Sequence, residues 1–140
     1  MRSRQRGSVL MLMPAGVLIV LLLGAIAFDL SLVFLRQRQA SSVAGDVAND
    51  LATQAIDEAE FRATGEFRLD PDRADEIGRA LLAQSDVADD IVDLDVEILG
   101  TDTAQVTVVL RVEYLFAGAI PGANDTTDVH ATATAVAATG

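Results

Sequence analysis

Hydrophobic and polar positions follow different rules in successive parts of the chain. No charged residue occurs in the run 9–28, and twenty residues wound as a helix cover about 30 Å, the hydrocarbon thickness of a bilayer. Beyond it, apolar and small residues recur at Ala40, Val43, Ala44, Val47, Ala48, Leu51, Ala52, Ala55, Ile56 and Ala59, in alternating steps of three and one. Ser41, Ser42, Asp46, Asn49, Asp50, Thr53, Asp57 and Glu58 occupy the opposite face. That spacing predicts a membrane-spanning helix that runs on as an amphipathic one, from Ser8 to about Phe61 and about 80 Å long. Pro14 and Gly45 are the positions where it is expected to bend.

The helical pattern stops at Ala63-Thr64-Gly65, and Glu66-Phe67-Arg68-Leu69 reads as a short extended link. Asp70-Pro71 has the form of an N-cap followed by proline in the first turn, and Asp72, Asp75 and Glu76 suit the positive end of a helix dipole. Ile77, Ala80, Leu81 and Ala83 form the expected inner face of this second helix, which should end near Gln84. The period then becomes two. Val92, Leu94, Val96 and Ile98 alternate with Asp93, Asp95 and Glu97; Val106, Val108, Leu110, Val112 and Tyr114 alternate with Thr107, Val109, Arg111, Glu113 and Leu115. A third strand is expected over about 129–137, after a loop marked by Pro121-Gly122 and Asn124-Asp125. The fold class is therefore α+β, with a three-stranded antiparallel sheet that has one wet acidic face and one face for a helix to cover. The division expected is a basic N-terminus (1–8), a transmembrane region (9–35), an amphipathic extramembrane helix (36–62) and a small acidic head (63–140).

Charge gives this layout a direction. Arg2, Arg4, Arg6, Arg36 and Arg38 make up half of the 10 basic residues, whereas Asp29 is the only one of the 21 acidic residues before Asp46. Arginines resist translocation, so the cluster at Arg2, Arg4 and Arg6 is expected to stay in the cytoplasm and the head to lie outside. A head so acidic repels nucleic acid. Ala25-Ile26-Ala27 has the small-x-small form of a signal-peptidase site, but the apolar region is longer than the roughly 7–15 residues of a signal peptide. Apolar residues also resume at Leu30, Leu32, Val33, Phe34 and Leu35, so a retained anchor is expected.

The stripe at Ala44, Ala48, Leu51, Ala52 and Ala55 permits close approach, either of the chain's own head or of neighbouring subunits in a bundle. Asp29 demands a partner or water: it is expected to be an interfacial residue, with subunit pairing as the alternative, and Arg36 seven residues later offers only a loose ion pair. Catalysis and cofactors are not expected. The single histidine, His130, lies in a predicted strand and the chain has no cysteine. Two acidic groups, Asp70 with Asp72, Asp75 and Glu76, and Asp86 with Asp89 and Asp90, have oxygen ligands for calcium but lack the spacing of an EF-hand.

Arg6-Gly7-Ser8, the apolar run ending in Phe28-Asp29-Leu30, then Phe34, Arg36, Arg38, and the alanine-spaced 44–55 with Asn49-Asp50 resemble the TadE/TadG-like proteins of the Flp (tight adherence) pilus assembly system. The segment 65–71 is also similar to part of some members. The resemblance implies a pseudopilin-like subunit of a type IV pilus-related machine, single-pass, with the lipid bilayer, other pilus or secretion subunits and copies of itself as partners. It also implies Gly7-Ser8 as a candidate processing site. Leu12 departs from the pilin pattern, which has a glutamate at the fifth residue after that glycine. The alternative is a single-span tether that displays its acidic head to a cation or a basic partner.

Overall fold

The computed structural model describes residues 6–137, with side-chain surroundings from residue 12 onward; Arg2 and Arg4 of the basic N-terminus lie outside the described residues. Its elements are α1 (Arg6–Gln54), α2 (Glu58–Thr64), α3 (Pro71–Ala83), β1 (Ile91–Leu99), β2 (Thr103–Glu113) and β3 (Thr126–Val136), an α+β fold. α1 has 49 residues, so it is about 74 Å long. Among the described residues it is the one helix long and apolar enough to cross a membrane. Its first half carries Leu12, Leu18, Leu21, Leu22, Leu23 and Ile26 exposed, while its second half is built into the head.

The head stands along that second half. Asp70 donates its backbone N–H to the carbonyl of Ala55 at 2.9 Å at the far end, and α3 descends from there. β1 climbs, β2 descends and β3 climbs again, in the order β1-β2-β3 with antiparallel pairing throughout. α1 covers the inner faces of β2 and β3, and α3 packs against α1 and β1.

Register explains why an alanine face suffices on α1. On the inner face Val106 pairs with Ala133, Val108 with Ala131 and Ala104 with Ala135, so β2 supplies bulk and β3 a trough of small side chains. Ala40, Ala44, Val47, Ala48, Leu51, Ala52 and Ala55 fill that trough and are buried. Alanine contributes little area per residue, so the interface gains from closeness and from the few large side chains at its centre, above all Leu51, Val106, Val108 and Leu110. Gly78 provides another close approach, of α3 to β1. A Cβ there would sit 3.1 Å from Cγ2 of Val96, tighter than an ordinary contact, so glycine lets α3 lie this near β1 without displacing that side chain.

Four local features differ from the sequence expectations. The long helix does not continue to Phe61. Ala55, Ile56 and Asp57 leave the helical path because Ile56 forms an antiparallel bridge with Leu69, and Asp57 donates its backbone N–H to the carbonyl of Arg68 at 2.7 Å. Asp57 then starts α2 by accepting from the amides of Ala59 and Glu60, and Gly65, at φ 77°, closes it in the left-handed conformation. On α3 the buried positions are Ala74, Gly78 and Leu82, with Ile77 and Leu81 half-buried, whereas Ala80 and Ala83 face outward. Finally, an irregularity between Ile91 and Asp93 turns Val92 out of the core, and Tyr114 and Leu115 fall beyond the end of β2.

Candidate functional site

Where the apolar half of α1 gives way to the head, Asp29 is turned inward and only 6% exposed. Its carboxylate accepts from three consecutive backbone amides of the β2–β3 loop: Leu115 at 3.0 Å and Phe116 at 3.2 Å on Oδ1, then Phe116 at 3.2 Å and Ala117 at 2.9 Å on Oδ2. Amides that would otherwise need water are thereby satisfied by a charge that would otherwise need it too. Next to this clasp the rings of Phe28 and Phe116 meet edge to face, with centroids 5.7 Å apart.

Asp29 therefore has a partner within its own chain, and Arg36 is not that partner. Arg36 reaches across to Asp90 at 3.0 Å, at the foot of β1, and to Oε1 of Gln39 at 3.2 Å. The next residue, Gln37, donates from Nε2 to the carbonyl of His130 at 2.7 Å and ties the outer edge of β3 to the helix. His130 itself points outward from β3. The stripe Ala44, Ala48, Leu51, Ala52 and Ala55 packs against the chain's own sheet, which leaves it unavailable to neighbouring subunits while the head is folded. Gly7 and Ser8 lie in the first turn of α1.

Three of the acidic residues considered for calcium have local duties. Asp70 accepts from the amides of Asp72 and Arg73 and caps α3, Asp75 pairs with Arg79 at 2.9 Å, and Asp90 holds Arg36. Among the described residues no three acids or histidines converge on one point. On the outer face of the sheet Arg111 pairs with Asp128 at 3.0 Å; its guanidinium lowers the Asp128 carboxyl below its ordinary value, against a smaller opposing effect of desolvation. A groove of about 810 Å³ lies between the ends of α1, α2 and α3, where Phe61 stacks on Phe67 beside Arg73 and Glu76. Its lining brings no nucleophile, base and orienting group together.

The sequence singles out Asp29 but not what it binds, because backbone amides leave no signature in side-chain chemistry. The usable signal is indirect: residues 114–123 are uncharged and apolar in an acidic head, and a single acid closes the uncharged run of the long helix. No protein-family model matches the chain, and neither a curated protein nor a solved structure is significantly similar to it.

Proposed function

We propose that this protein is a single-span structural subunit of a Flp (Tad) pilus assembly or secretion system, with its N-terminus in the cytoplasm and its head outside. The observation that carries this is the division of α1. Its second half is used up in the head's own core, whereas its first half presents apolar side chains that nothing among the described residues covers. A rod of that kind can pack only with lipid or with other spans, and the motif Phe28-Asp29-Leu30 with Phe34, Arg36 and Arg38 supports the TadE/TadG-like assignment.

The clasp gives such a subunit a mechanical property. Four hydrogen bonds, the Phe28–Phe116 contact and the Arg36–Asp90 pair fix the head to the helix at the point where the span ends. Head and span then turn as one body, so packing of spans dictates the placement of heads. Leu12 supplies no carboxylate for a neighbour's terminal amine, so association within the bilayer would rest on van der Waals packing.

A photo-crosslinking residue at Leu18, Leu21 or Leu22 in the native host tests the proposal, together with deletion of the chain. Adducts with another pilus or secretion subunit and loss of pili on deletion are expected. Adducts with lipid alone, together with normal pili in the deletion strain, would refute it.

A further inference from the structure

The β2–β3 loop carries no charge over ten consecutive residues of an acidic head. From Tyr114 to Ala123 the chain reads Tyr-Leu-Phe-Ala-Gly-Ala-Ile-Pro-Gly-Ala, and its large side chains are left uncovered: Leu115 is 62% and Ile120 57% exposed, with Phe116 also open. A loop that faced only water would gain nothing from this composition. Its position supplies the reason. The Asp29 clasp and the edge contact with Phe28 hold it beside the last residue of the uncharged run, at the base of the head, and both strands lead away from that level.

We infer that residues 114–123 are a membrane-contact element, seated among the headgroups and upper acyl chains at the head end of the span. This rests on α1 being a membrane span. The helix itself indicates how deep the loop sits. Past Asp29, Leu30, Phe34 and Leu35 remain exposed on faces the head does not cover, and the first arginine follows at Arg36. Residues 12–35 extend about 36 Å as helix, more than the roughly 30 Å of hydrocarbon, so the apolar surface reaches above Asp29 into the interface. A carboxylate at that level is deprived of much of its water. The three loop amides replace that water, and the loop in turn offers Leu115, Phe116 and Ile120 to the lipid. Glu113, Asp125 and Asp128 flank the loop, so apolar contact and not attraction to anionic headgroups drives the seating, and an uncharged phosphatidylcholine surface suffices.

The chain has no tryptophan, so single tryptophans report without background. Full-length protein carrying Leu115→Trp or Ile120→Trp is placed in phosphatidylcholine vesicles brominated either near the glycerol end or near the methyl end of the acyl chains. Leu21→Trp, within the span, and Val136→Trp, at the far end of β3, serve as references. Blue-shifted emission at Leu115→Trp and Ile120→Trp, largely lost with bromine near the glycerol end and much less with bromine near the methyl end, is the expected result. Val136→Trp should keep its emission in both. Quenching of Leu21→Trp without quenching at either loop position would overturn the loop's membrane seat and leave the anchor standing. A blue shift at the loop without quenching would mean that protein covers it, which also overturns the seat. If Leu21→Trp is not quenched either, the anchor itself falls.

Discussion

Gly78 gives the sharpest numerical test of how the head is assembled. In an exposed helix, replacing glycine by alanine stabilises by about 1 kcal/mol, because alanine loses less backbone entropy on folding. At Gly78 the added Cβ would approach Cγ2 of Val96 to 3.1 Å, with Leu51 Cδ1 at 3.8 Å and Leu94 Cδ2 at 3.9 Å already in ordinary contact. Overpacking of this kind costs about 1–3 kcal/mol. The two effects oppose, and Gly78→Ala alone should leave stability unchanged or lower it by up to about 2 kcal/mol. Val96→Ala removes the methyl group in conflict. In that background the same Gly78→Ala change should recover its full propensity gain of about 1 kcal/mol, so that the cycle shows a favourable coupling of about 1–3 kcal/mol. Urea unfolding of the full-length protein in detergent, followed by fluorescence of Tyr114, the single tyrosine, gives the four stabilities. Gly78→Ala stabilising by about 1 kcal/mol with Val96 intact, and additivity within about 0.5 kcal/mol, would refute the close approach of α3 to β1.

Leu51→Ala, at a fully buried position on the helix stripe, should cost about 2–5 kcal/mol in the same unfolding assay, and a cost below about 1 kcal/mol would contradict the stripe's place in the head's own core. Asp29→Ala should speed amide hydrogen exchange at Leu115, Phe116 and Ala117 and leave β2 protected; unchanged exchange at those three amides would contradict the clasp. The Asp128 carboxyl is held below its ordinary value of 3.8, chiefly by its hydrogen bond from Arg111. Its contribution is thus present above that value and lost as pH falls through the lowered one. Asp128→Asn should accordingly flatten the acid end of the stability profile, and an identical acid profile in the variant would show that the pair does not couple to folding.

Much of the fold can be read from local pattern. Alternation locates the strands, Asp70-Pro71 marks the start of α3, and the uncharged run followed by steps of three and one defines α1. What escapes is whatever depends on a distant partner. The helical spacing persists through Ala59, yet pairing of Ile56 with Leu69 ends α1 at Gln54. Val92 keeps the alternation of its strand, but the irregularity beside it turns the side chain outward. The alanine stripe has a face that is evident from spacing, while its partner emerges only when β2–β3 register sets Ala131, Ala133 and Ala135 in a row beneath it. For Asp29 the helix pattern poses the problem of a lone acid, and its solution lies 86 residues away in loop amides.

The proposed anchor requires α1 to stay whole, an apolar rod in its first half and part of the head's core in its second. Intact mass of the native protein, compared between the membrane and soluble fractions, tests it most directly. A membrane-bound species that is full length or begins at Ser8 is expected, because both retain the span. A soluble species beginning at Phe28 would contradict it.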